Sequence, residues 1–138
     1  MKDVKELNDL YKIVKMGIIG IDEVKGHICD KTLAKTMQDA KKKYMIIKMD
    51  ITNVMHELGE EPDDINTMTI AFSKIYTGIE LIKSDDSKIA KMLIEGTNKG
   101  IIKLETLLNS KLEENVKKIA EDLLELLEFQ IKAWKSYL

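Results

Sequence analysis

Apolar side chains recur along this chain at alternating spacings of three and four residues, which is the period of an amphipathic α-helix. The first such stripe predicts a helix over residues 3–28, and its members are Val4, Leu7, Tyr11, Val14, Ile18 and Ile21. A second stripe predicts a helix that ends at Gly59, a residue suited to a C-terminal cap. Its members are Leu33, Met37, Ala40, Tyr44, Ile47, Ile51, Val54 and Leu58.

Three further helices are predicted after Pro62, the only proline of the chain. A shorter one is marked over residues 65–82 by Ile65, Met68, Phe72, Ile75, Ile79 and Ile82. Asp85 or Asp86 offers an N-cap for the next, which is expected to run from about Ser87 to Leu108. The last helix follows a turn at residues 109–110, and a wide apolar arc predicts that it lies deep in the core. The pattern as a whole predicts an all-α fold.

The segment "IEGTNKGI" at residues 94–101 resembles a glycine loop, but it falls inside the predicted helix that ends at Leu108. On a helical wheel Gly96 and Gly100 lie with Leu93 and Leu104 on the apolar face. An interior helical glycine costs about 1 kcal/mol relative to alanine. We therefore expect both glycines to face the core and to permit close approach of a neighbouring helix.

Length, charge and composition limit the classes of function that this chain can have. The length of 138 residues predicts a single domain over residues 1–138. The net charge is −2, and all 22 basic residues are lysine, so the arginine forks that read phosphate and guanine are absent. We expect no nucleic-acid partner, no membrane span, no signal peptide and a cytoplasmic location. Cys29 is the only cysteine, which excludes an internal disulfide and any CxxC motif.

Three short motifs connect the chain with a known family. They are "LNDL" at residues 7–10 with glycines 17 and 20 beyond it, "LGEEP" at residues 58–62, and "DDSKIAKMLIEGTNKGI" from Asp85. Through these motifs the chain resembles a family of small bacterial ferritin-like proteins that is described as a domain of unknown function. The resemblance implies a ferritin-like antiparallel four-helix bundle in which the helix over residues 65–82 is an additional crossover between two helix pairs.

Ferritin-like di-iron sites use Glu-x-x-His pairs on two helices. Only two histidines are present, and the residues three positions before them are Val24 and Asn53, so the motif is missing. The resemblance also implies several acids around Gly96, where this chain has only Glu95. We expect no cofactor, with iron or another metal as the alternative, and the candidate metal ligands are Glu23, His27, His56 and Glu95.

The eight methionines permit a second metal hypothesis, a soft Cu(I) site that combines thioethers with Cys29 or a histidine. Core filling explains the methionines more simply and is the favoured interpretation. No nucleophile and base pair can be specified from spacing, so enzymatic activity is not predicted.

The prediction for function is a non-catalytic structural or protein-interaction module that forms a homo-oligomer or binds a protein partner. Met16 and Ile19 point to the charged side of the first helix and are candidates for a contact between helices of different molecules. The alternative is a ferritin-like metal-binding or oxidative-stress protein with an atypical ligand set. A third hypothesis, a carrier of a small apolar ligand, requires space left by the core glycines.

Overall fold

The structure is a computed structural model, and it describes residues 3–63 and 85–138. These residues form four α-helices and contain no strand. The helices are α1 (Val4–Val24), α2 (Lys31–Glu57), α3 (Asp86–Leu108) and α4 (Glu114–Trp134). Short 3₁₀ turns, Lys25–His27 and Lys135–Tyr137, follow α1 and α4. The all-α prediction is confirmed, and the helix predicted over residues 65–82 lies outside the described residues.

Side chains and a glycine fix the helix ends. The Asp85 carboxylate accepts a hydrogen bond from the Lys88 backbone N–H at 3.2 Å, which confirms an N-cap at the start of α3. Gly59 has a φ of 74° after α2. Its N–H donates to the His56 carbonyl at 3.0 Å, and the next N–H, of Glu60, donates to Met55 at 2.9 Å. These two bonds form a Schellman motif, so the predicted cap is correct.

The predicted stripes line one hydrophobic core, to which all four helices contribute. Its fully enclosed members include Leu7, Val14, Leu33, Ile51, Ile89, Leu104, Ala120 and Leu123. The largest buried side chain is Trp134, whose indole N–H donates to Thr36 Oγ1 at 3.3 Å. Each helix buries about one face, as the period of the sequence requires.

Hydrogen bonds between elements show how the helices are directed. The Asp86 carboxylate accepts from the N–H groups of Cys29 and Asp30 at 2.9 and 2.8 Å, so α3 begins beside the start of α2. At the opposite end, the Asp63 N–H donates to the Asn8 side chain at 2.9 Å. Helices α2 and α3 are therefore parallel, and Asp63 and Asp85 lie at opposite ends of the protein.

The prediction for the two glycines of α3 is half correct. A Cβ at Gly100 would lie 3.3 Å from Leu127 Cδ1 and 3.6 Å from Ile13 Cγ2, so Gly100 does permit close helix packing. Gly96 is exposed, and a Cβ there would meet nothing within 4 Å, so its predicted core position is wrong. Gly96 is four positions before Gly100, and four positions correspond to about 40° more than one full turn of the helix. This offset places Gly96 at the edge of the apolar arc.

Across the described residues, no helix is both long enough and apolar enough to span a bilayer.

Candidate functional site

A cluster of polar side chains lies inside the core and joins three helices. Gln130 of α4 is 3% exposed, and its Nε2 donates to Tyr44 Oη of α2 at 2.7 Å and to Thr97 Oγ1 of α3 at 3.1 Å. The remaining helix, α1, supplies Gly17, on which the tyrosine ring rests. A Cβ at Gly17 would lie 2.7 Å from two ring carbons of Tyr44, so only glycine leaves room for the ring.

The hydroxyl of Thr97 fixes which way the Gln130 amide points. Thr97 Oγ1 donates its proton to the Leu93 carbonyl at 2.7 Å, so towards Gln130 it can only accept. The amide must therefore present its NH₂ group to this hydroxyl. The carbonyl oxygen, Gln130 Oε1, then has no hydrogen-bond partner among the described residues.

The buried cluster is neutral at physiological pH. Burial raises the pKa of the Tyr44 phenol well above its ordinary value, so the phenol keeps its proton. A protonated phenol, a hydroxyl and an amide lack the carboxylates and imidazoles that hold iron in ferritin-like centres. The residues at the centre of the helices therefore do not fit a di-iron group, and the cluster acts as a specific hydrogen-bonded link between helices.

The four predicted metal ligands lie apart along the molecule. Glu23 and His27 are half-buried near the end of α1. His56 lies at the far end of α2, about 40 Å away at 1.5 Å per helical residue, and pairs with Glu61 Oε1 at 3.0 Å. Glu95 is exposed near the middle of α3. In the ranges 3–63 and 85–138, no three His, Cys, Asp or Glu side chains converge to hold a metal ion.

An open groove between α2 and α4 is the most distinctive feature of the described surface. Its centre is the Phe129 ring, which is 60% exposed and has Lys43 Nζ 5.0 Å from its centroid, a cation–π contact. Depressions of about 400 and 340 Å³ lie on either side of this pair. Leu126 contributes to both, Trp134 to the first and the 60% exposed Ile46 to the second. We call this surface the α2–α4 groove.

Charged side chains border the α2–α4 groove. Lys42 and Lys43 line the α2 side, whereas Glu125 and Asp122 line the α4 side. An apolar centre with a charged rim is the general anatomy of a protein–protein interface. Met45 and Met49 are also exposed on α2, at 50% and 65%, but neither lines the groove.

The sequence interpretation missed the groove, although one signal was present. In "YMIIKMDI" at residues 44–51, apolar residues stand at six of the eight positions, more than one helix face can bury. Met45, Ile46 and Met49 are the excess. Phe129 and Gln130 had no such signal, because both depend on the rotation of α4 against its neighbours.

The described residues thus define an all-helical protein with a neutral polar cluster inside and an apolar groove outside. The family model described as "Domain of unknown function (DUF2383)" matches residues 2–110, and the chain belongs to this family. The match ends before α4, which supplies one side of the groove. No curated protein and no solved structure matches the chain.

Proposed function

We propose that this protein is a non-catalytic interaction module, built as a single ferritin-like four-helix domain, which binds protein through the α2–α4 groove. The observation that carries the proposal is the exposed aromatic ring of Phe129 between two apolar depressions. Large aromatic side chains are enriched among the residues that dominate protein binding energy. The ring lies between two depressions lined by further apolar side chains, so it is part of a patch and not a single exposed residue.

The ferritin-like part of the proposal is supported by helix direction. Helices α2 and α3 are parallel, and Asp63 and Asp85 lie at opposite ends of the protein, which is the arrangement of helix pairs in ferritin-like bundles. The proposal assigns no cofactor, because the polar groups that meet at the centre of the helices are neutral. The protein is expected to act in the cytoplasm.

The α2–α4 groove offers a larger apolar surface than the first helix, where the sequence placed a contact. Met16 is 39% exposed and Ile19 is half-buried. Ile46 and Phe129 are each 60% exposed and lie on facing helices, so both can contact one partner at once. This difference favours the groove over α1 as the binding surface.

Affinity capture with three forms of the chain tests the proposal. Phe129→Ser removes the centre of the groove, while Ile102→Ser removes a large apolar side chain that is 68% exposed on α3. Proteins bound by the wild type, including the chain itself, should be retained by Ile102→Ser and lost by Phe129→Ser. Equal retention by both variants would contradict a role for the groove.

A further inference from the structure

We propose that the partner of the α2–α4 groove is a second copy of this chain, related by a two-fold axis that runs parallel to the helices. This inference rests on the proposed function, since it names the occupant of the same surface. Two observations carry it. Lys42 and Lys43 line the α2 side of the groove where Asp122 and Glu125 line the α4 side, and charges of opposite sign stand at two matching levels along the helices.

Three contacts between α2 and α4 fix these levels. Trp134 lies opposite Thr36 at 3.3 Å, Gln130 opposite Tyr44 at 2.7 Å, and Phe129 beneath Lys43. The two helices are therefore antiparallel, and a residue on one can be matched in height with a residue on the other. Charges on the two sides can then be compared level by level.

Charges of opposite sign stand at two levels along the two helices, whereas at a third level Asp50 on α2 and Asp122 on α4 are both acidic. On the α2 side, Lys42 and Lys43 are exposed at the height where α4 exposes Glu128. One turn towards the start of α2 both signs reverse, because Asp39 on α2 stands at the height of Lys132 on α4. Neither helix is uniformly charged, so this match is more specific than a general attraction between a basic and an acidic helix.

A two-fold axis that lies in the plane of the interface could bring two such faces together in two ways. An axis parallel to the helices places α2 of one copy over α4 of the other with all heights preserved, so that Lys42 is level with Glu128 and Asp39 is level with Lys132. An axis perpendicular to the helices places α2 over α2, and Lys42 and Lys43 then face the lysines of the second copy. Charge therefore selects the parallel axis.

The apolar residues fit the same arrangement. The parallel axis sets each Phe129 ring over the α2 side of the other copy, at the height of Lys43 and Ile46. Two helices about 30 Å long and about 20 Å wide together cover about 600 Å² on each copy. The total of about 1,200 Å² is at the lower end of specific interfaces, which predicts a dimer that dissociates on dilution.

Charge reversal tests the arrangement. An acidic variant carries Lys42→Glu and Lys43→Glu, and a basic variant carries Glu125→Lys and Glu128→Lys. Sedimentation equilibrium should show that each variant alone dimerises at least about tenfold more weakly than the wild type, because like charges then meet. An equimolar mixture of the two should recover a heterodimer, since the substituted residues of each copy then meet opposite charges on the other.

Two other results would overturn the inference. If the wild type stays monomeric over the whole concentration series, or if neither variant weakens the dimer, the proposed partner is wrong. The interaction role would still stand if another protein is captured in a Phe129-dependent way. A dimer that survives Phe129→Ser unchanged would contradict both the partner and the groove.

Cys29 provides an independent test of the axis. It is exposed in the connection between α1 and α2, at one end of the protein, and it is the only site for a thiol-directed spin label. Cys29 is 15 residues from the middle of the groove, so a perpendicular axis separates the two labels by about 45 Å. The parallel axis keeps both at the same end, at about 20–30 Å, and a longer measured distance would overturn it.

Discussion

Phe129 and Gln130 are adjacent in α4, yet the aromatic ring is 60% exposed and the amide is 3% exposed. The amide is held inside by hydrogen bonds to Tyr44 and Thr97, so its burial is explained within the molecule. The ring has a single cation–π contact with Lys43 and otherwise faces outward. The proposed binding surface rests on this exposed ring together with the apolar depressions on both sides of it.

The buried polar cluster and the α2–α4 groove should also respond differently to amino-acid substitution. The buried polar cluster is tightly fitted, because the Tyr44 ring occupies the space above Gly17 and its hydroxyl is fixed by Gln130. The groove is open and bordered by long charged side chains. Substitutions in the cluster should therefore change stability, whereas substitutions in the groove should change binding and leave stability almost unaffected.

Gly17→Ala should have the largest effect on stability. The added methyl group overlaps the buried Tyr44 ring, and overpacking of this kind costs about 1–3 kcal/mol. The matched control is Gly96→Ala, where the methyl group meets nothing within 4 Å and the gain in helix propensity is up to about 1 kcal/mol. Urea denaturation should show a loss for the first and a small gain for the second. Equal shifts would mean that the ring does not depend on Gly17.

A double-mutant cycle on Tyr44 and Gln130 tests the hydrogen bond at the centre. Tyr44→Phe and Gln130→Leu should each lower the free energy of unfolding by about 1 kcal/mol, because each removes the hydrogen bond between the two side chains and leaves the other residue with one partner fewer. The double variant should cost less than the sum, by at least about 0.5 kcal/mol, since both polar groups are then removed. Strict additivity would show that the two side chains do not interact.

Phe129→Ser extends the comparison to the groove. Because the ring is mostly exposed, the substitution should change the free energy of unfolding by less than about 0.5 kcal/mol. Self-association, followed by light scattering over a concentration series, should nevertheless be weakened at least about tenfold. A large loss of stability with unchanged association would reverse the roles assigned to Phe129 and Gln130.

The smallest effect is expected at the start of α2, away from both regions. The Asp30 carboxylate accepts from the Leu33 N–H at 2.8 Å and from Tyr137 Oη at 3.1 Å. These bonds, chiefly the backbone bond from Leu33, lower the pKa of Asp30 below 3.8. The ionised group stabilises the fold at pH values above 3.8, and this contribution is lost as the pH falls through the lower native pKa.

Asp30→Asn is the control for that pH dependence, because the amide oxygen still caps the helix but does not titrate. Thermal melting of both proteins should show that the wild type loses more stability on acidification than the asparagine variant. Parallel loss in the two proteins would show that Asp30 does not titrate differently in the folded state.

Local signals in the sequence predicted the helices well. The Asp85 side chain and the Gly59 backbone mark helix ends, because each cap acts on groups only a few residues away. The apolar stripes predicted the core, because the helical period is also a local property of the chain. The rotation of each helix about its own axis is set instead by contacts with the other helices. Gly96 and Gly100 stand one turn apart on one stripe, and only the position of α1 and α4 decides that Gly100 is enclosed and Gly96 is exposed.

The candidate site was harder to predict for the same physical reason. His27 and His56 were predicted as metal ligands because imidazole binds many metals, but they lie at opposite ends of α2. The residues that the fold brings together are Tyr44, Thr97 and Gln130, and no spacing in the sequence relates them. Convergence from three helices depends on tertiary packing, which a single sequence pattern does not contain.

Site-specific photo-crosslinking tests the central claim most directly. A benzophenone side chain in place of Phe129 keeps an aromatic group in the groove, and the same group in place of Ile102 provides the control on α3. The account predicts that position 129 crosslinks efficiently, to α2 of a second copy, while position 102 gives no specific product. Equal crosslinking at the two positions, or none at position 129, would contradict the assignment of the α2–α4 groove as the binding surface.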